Sequence, residues 1–153
     1  MRLRPLLAKF DNLAGFLQSP LLLAIRLYWG WQFAQTGWGK LTHLERTAGY
    51  FESLDIPLPK VNAVMAGGTE CLGGLLLALG LFARPASVPL IFTMLVAYWT
   101  ADREAVMAIT SDPDKFVTAT PFLFLLASLL VLAFGPGKLS LDAVLGKGGG
   151  QAR

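Results

Sequence analysis

Apolar positions gather into four long runs along the chain, at about residues 20–39, 61–82, 85–101 and 116–134. A helix needs roughly 20 residues, within a range of about 17–25, to cross the hydrocarbon core of a bilayer. All four runs qualify, the third barely. Lipid offers no partner to a backbone N–H or C=O, so a run that crosses does so as a helix. Local signals mark the ends. Pro20 and Pro85 suit a first helical turn, where a missing N–H costs nothing. Asp112 followed by Pro113 reads as the N-cap and first residue of the fourth helix. Trp38 and Trp99 fall near span ends and fit an aromatic belt at one interface.

Two further stretches are amphipathic without being long enough to span. Leu6, Phe10, Leu13 and Leu17 make one stripe in residues 5–18; Leu44, Ala48, Phe51 and Leu54 make another in residues 42–56. Thr42 and Glu45 fit a capping box, a hydroxyl answered by a carboxylate three residues on. Each stretch is either a helix in the headgroup plane or a structured loop. The closing GKGGGQAR has the composition of a disordered tail. The pattern divides the chain into an N-terminal amphipathic segment (1–19), a four-helix membrane domain (20–142) and a flexible tail (143–153). The expected fold class is all-α: a polytopic membrane protein, a four-transmembrane-helix bundle with short interfacial helices.

Composition supports that reading. Of 153 residues, 54% are hydrophobic and only 15% charged, against roughly 25% charged in a soluble domain. Mean hydropathy is +0.55. The net charge of +3 comes from no Lys/Arg cluster, which argues against nucleic acid. One cysteine, Cys71, excludes an internal disulfide and CxxC chemistry, and reads as a small hydrophobe. One histidine, His43, cannot supply paired haem ligands, and no ligand cluster points to a metal. Lys9 and Asp11 interrupt the apolar run behind Arg2 and Arg4, so no cleaved signal peptide is expected. With four crossings, Arg2, Arg4, Lys9, Arg84, Lys138, Lys147 and Arg153 fall on one side, and Lys40, Arg46, Lys60, Arg103 and Lys115 on the other. That bias puts both termini in the cytoplasm, in an inner membrane.

Arg26 and Glu70 are the formal charges well inside the runs. A charge facing lipid costs at least about 2.5–3.5 kcal/mol, so both should face other helices. The spacing agrees. Arg26, Gly30, Phe33, Gly37 and Lys40 share one face of the first helix. Gly67, Glu70, Gly74, Leu77, Leu81 and Arg84 share one face of the second. Gly30, Gly37, Gly67 and Gly74 let backbones approach, so these faces are the expected packing seams of antiparallel neighbours. At 1.5 Å per residue, Arg26 and Glu70 differ in depth by about 10 Å, which is long for a direct bridge. Tyr98, Gln32 and Thr36 come nearer the level of Glu70, although Gln32 lies off the glycine face. Glu70 is therefore either neutral and hydrogen-bonded to Tyr98, or linked to Arg26 through water. Its role is either a polar clasp fixing helix register or a site for a polar head group, a quinone among them, or for a relayed proton.

The run Arg26-x3-Gly30-x2-Phe33-x3-Gly37-x2-Lys40, the loop ending LDIPLP, Glu70-x2-Gly73-Gly74, then Gly80-Leu81 and Arg84, and finally GPGKLSLD at 135–142, together resemble the DoxX family over roughly residues 20–142. The resemblance implies a four-helix integral membrane protein in a bacterial plasma membrane. The family takes its name from a small subunit of a thiosulfate:quinone oxidoreductase. Related members are linked to membrane redox and oxidative-stress complexes, and distant ones act as chaperones or cargo receptors. Arg26, Lys40 and Glu70 are the polar positions the resemblance carries over.

No autonomous catalytic motif and no flavin, haem or metal motif is visible. Three functions remain open: a small membrane subunit of a quinone-linked redox complex, a scaffold or assembly protein recruiting a soluble or membrane partner, and a small-solute or proton carrier using Glu70. Four short helices leave little room for a pore, which ranks the carrier last. A homo-oligomer is compatible with each.

Overall fold

The computed structural model of the chain describes residues 3–146, so residues 147–153 of the expected flexible tail lie outside the described residues. The regular elements among them are all helices: α1 (Leu3–Thr42), α2 (Leu44–Ser53), α3 (Pro59–Leu79), α4 (Ala83–Thr100), α5 (Arg103–Met107), α6 (Pro113–Thr118), α7 (Pro121–Phe134) and α8 (Leu141–Val144). Among them, α3 alone is both long and apolar enough by itself to cross a membrane, with 21 residues and a mean hydropathy of 1.3. α7 is apolar but has only 14 residues.

The helix start expected at Pro20 does not occur. α1 runs unbroken for 40 residues with Pro20 inside it. Proline removes one helical hydrogen bond, the one its nitrogen would donate to the Phe16 carbonyl. Phe16 is exposed, so that carbonyl can be served from outside the helix. The expected capping box at Thr42 does not form either. Helix α1 extends through Thr42, whose hydroxyl donates back to the Trp38 carbonyl at 2.9 Å. His43 alone separates α1 from α2, and Glu45 pairs with Lys60 instead. The Asp112–Pro113 signal starts α6, not the fourth long helix. Pro121 has no N–H to continue α6, and its ring suits a helix start, so the last apolar run divides into α6 and α7. Helix α3 ends earlier than the apolar pattern does. Gly80 takes a left-handed φ of 65°, and Leu81 N then donates to the Leu76 carbonyl at 3.0 Å.

α1, α3, α4 and α7 form the body of the molecule. The most extensive contact is α1 on α3; α4 packs on α7, α3 joins the two pairs, and α2 lies against α3. α1 and α3 run antiparallel along a seam of glycines. A Cβ at Gly30 would lie 2.6 Å from Ala78 N and 2.7 Å from the Gly74 carbonyl oxygen. One at Gly74 would lie 2.6 Å from Ala34 N. Gly37 meets the backbone of Gly67 and Cys71 in the same way. Such approach lets backbones pack directly, a gain that needs no hydrophobic drive from water. The dry core lies beside this seam, built from Phe33, Leu77, Ala83, Leu90, Met94 and Val131 with Phe124 and Leu125 against it.

Candidate ligand site at a buried ion pair

Glu70 pairs with Lys40. The Lys40 ammonium donates to Glu70 Oε2, with the Glu70 side chain 2% exposed and that of Lys40 29%. The pairing follows from the seam. With Gly37 seated on the backbone of Cys71, Lys40 near the end of α1 comes within reach of Glu70, midway along α3. Its four-carbon stem runs along apolar surface while the head reaches the carboxylate.

Arg26 does not reach Glu70, directly or as part of the same cluster. Its guanidinium donates through Nη1 to the carbonyls of Leu77 (3.4 Å) and Ala78 (3.3 Å) and through Nη2 to Leu139 (2.6 Å). Those first two carbonyls close α3, where the helix dipole is negative. Glu70 and Ala78 are separated by about 12 Å of helix at 1.5 Å per residue, too far for one bridge. Tyr98 is also elsewhere. Its hydroxyl donates to the Phe116 carbonyl at 2.8 Å, and its ring stacks on Phe116 at 4.6 Å. Gln32 is half-buried and lines neither of the two cavities described below. His43 is exposed, and Cys71 is a free thiol, half-buried on α3.

The far end of the molecule carries a polar clasp that the residue pattern did not single out. Asp142, 6% exposed, accepts from Phe82 N at 2.8 Å and Ala83 N at 3.0 Å, serving N–H groups at the start of α4. Its own N–H donates to the Gly80 carbonyl at 2.9 Å. The segment 135–142 thus folds back between Arg26 and the α3–α4 turn. The only sequence signal for Asp142 was its place at the end of GPGKLSLD.

Two cavities meet at the Lys40–Glu70 pair, and Lys40, Tyr50, Glu70, Ala97 and Ala101 line both. The first, of about 260 Å³, lies between α3 and α4 under α2; Phe51, Leu54, Met65, Phe92 and Val96 give it a largely apolar wall. The second, of about 320 Å³, lies among α1, α4 and α7, with Thr36, Asp102 and Thr120 in its wall. The pair is therefore a hydrogen-bonding partition, Lys40 offering a donor and Glu70 an acceptor, at the inner end of an apolar slot. Among the described residues no cluster of His, Cys, Asp and Glu could hold a metal ion.

Fold and site together define the class: a small protein, helical throughout the described residues, with a glycine seam and a buried ion pair shared by two cavities. The model of the DoxX family matches residues 21–103, more than half of the chain, and the chain belongs to that family. It is 31% identical over 134 residues to "Inner membrane protein YphA" of Escherichia coli (strain K12), covering 84% of this chain and 92% of that protein. It is 31% identical over 140 residues to "Uncharacterized membrane protein Rv3486" of Mycobacterium tuberculosis (strain ATCC 25618 / H37Rv), covering 84% of this chain and 83% of that one. No solved structure matches the chain.

Proposed function

We propose that the chain is a multi-pass inner-membrane protein, crossing four times with both termini in the cytoplasm, and that it serves as a small membrane subunit or accessory of a quinone-linked redox complex. Large apolar side chains on the outside of every main helix fit a lipid surround, among them Leu27, Leu72, Leu75, Phe92, Leu95 and Leu129. The last crossing would use α6 and α7 together, since α7 is short. Two relatives bear names that call them membrane proteins, one of them an inner membrane protein.

The observation that carries the reading is the Lys40–Glu70 pair at the end of the apolar cavity. A quinone or quinol head group has carbonyls to accept from an ammonium and hydroxyls to donate to a carboxylate, and its isoprenoid tail suits the slot between Met65, Phe92 and Val96. Electrons would pass to or from a partner protein, in keeping with a sequence that carries no flavin, haem or metal motif. The test is purification in mild detergent, followed by mass spectrometry of bound lipids, quinones and proteins. A lipid-soluble quinone is expected with the wild-type chain and is lost in Lys40→Met and Glu70→Gln. Equal quinone in all three preparations sinks the site.

A second reading is a scaffold that recruits a partner. It draws on the N-terminal half of α1, where Phe10, Phe16 and Leu17 are exposed and a Cβ at Gly15 would meet nothing within 4 Å. Removal of residues 1–18 is expected to abolish any partner recovered with the full chain, and unchanged recovery argues against this arm.

A further inference from the structure

The two cavities at the ion pair differ in chemistry. The first is walled mainly by aliphatic and aromatic side chains of α2, α3 and α4, and its Asn62, Thr93 and Thr100 donate to the backbone carbonyls of Pro57, Pro89 and Val96. The second carries the hydroxyls of Thr36 and Thr120, the Tyr50 phenol and the Asp102 carboxylate around the pair. Thr36 uses its proton on the Phe33 carbonyl at 3.0 Å, which leaves its oxygen as an acceptor. Thr36, Tyr50 and Thr120 are all exposed, so this cavity opens to the outside at the end that carries α2, α5 and α6. A site of about 320 Å³ with two or more polar partners per water is one that water fills.

The opposite direction is closed. Beyond Glu70 toward Arg26 come Phe33, Leu77, Leu90 and Val131, each 0% exposed. Beside them Gly30 and Gly74 bring two backbones to within direct contact. Among the described residues no polar side chain bridges that layer; Ser87 and Ser128 turn their hydroxyls back onto the carbonyls of Ala83 and Phe124 of their own helices.

We propose that the second cavity is a water-filled vestibule open at the α2 end, and that a ligand held at Lys40–Glu70 exchanges water and protons with that end alone. The titratable groups facing the vestibule are Lys40 of α1, Tyr50 of α2, Glu70 of α3 and Asp102 beyond α4; Thr120 before α7 and Pro121 and Phe124 within it add none that titrates. A proton released by a bound head group is accepted by the Glu70 carboxylate and leaves past Asp102. The ligand part of this proposal rests on the head-group reading above; the access of water does not.

Cysteine accessibility tests it in sealed vesicles of known orientation, in a Cys71→Ala background. Thr36→Cys and Thr120→Cys are each expected to react with a charged, membrane-impermeant methanethiosulfonate, from the side opposite to Val144→Cys, a position exposed on α8. Thr93→Cys, in the apolar cavity, is expected to react with a membrane-permeant maleimide only. Ser87→Cys, in the closed layer, is expected to react with neither. Loss of charged-reagent labelling at both threonine positions overturns the vestibule, and so does labelling from the Val144 side. Labelling of Ser87→Cys overturns one-sided access. Quinone content of the same membranes separates this proposal from the previous one. Labelling as expected without bound quinone removes only the ligand, while bound quinone without labelling removes only the vestibule.

Discussion

Replacing Gly30 by alanine puts a methyl group into the α1–α3 seam. Its Cβ would lie 2.6 Å from Ala78 N, 2.7 Å from the Gly74 oxygen and 2.9 Å from the Ala78 Cα. Comfortable separation between such atoms is about 3.5 Å, so the deficit is roughly 0.9 Å at the tightest contact. The atoms in the way belong to backbone inside helices, and no rotamer change relieves them. The helices must part, and every contact along the seam loosens with them. Overpacking of this kind costs about 1–3 kcal/mol, several-fold to roughly a hundredfold in the folding equilibrium. Gly39 and Gly68 supply the control, because a Cβ at either meets nothing within 4 Å. There alanine should stabilise the helix by about 0.5–1 kcal/mol through its better propensity. Thermal melts of the detergent-solubilised protein should therefore move down for Gly30→Ala and up for Gly39→Ala and Gly68→Ala. A melt for Gly30→Ala that rises with the controls would refute the reasoning.

The ion pair predicts an asymmetry: Lys40→Met strands a carboxylate 2% exposed, while Glu70→Gln leaves an ammonium that can turn outward. The first should cost about 3–5 kcal/mol and the second less, read as a larger drop in melting temperature for Lys40→Met. Asp142→Ala removes the carboxylate that the Phe82 and Ala83 amides donate to and should cost about 1–3 kcal/mol, with hydrogen exchange quickening first at the start of α4. Tyr98→Phe removes one hydrogen bond to the Phe116 carbonyl, should cost about 0.5–1.5 kcal/mol, and should leave ligand content unchanged by mass spectrometry.

Helix periodicity alone put Arg26, Gly30, Gly37 and Lys40 on one face and Gly67, Glu70 and Gly74 on another, because 3.6 residues per turn leaves few alternatives. It also marked Glu70 as a group that must turn away from lipid. The partner of that carboxylate was not legible. A ruler of 1.5 Å per residue gives depth only relative to guessed helix ends, and those ends were wrong at Pro20 and at Phe82. Local signals failed for the same reason: Thr42 looks like a cap only if α1 has already stopped.

What the sequence by itself determined is therefore the elements, their buried faces and the identity of the charges those faces must hide, since these follow from chemistry repeated along one chain. Register between helices is a different quantity. It was decided when the backbone of Gly37 came to rest on that of Cys71, which set Lys40 beside Glu70 and carried Arg26 to the carbonyls at the end of α3. Those carbonyls have no sequence signature, because every residue supplies one. The return of segment 135–142, with Asp142 under the start of α4, likewise exists only once both helix ends are in place.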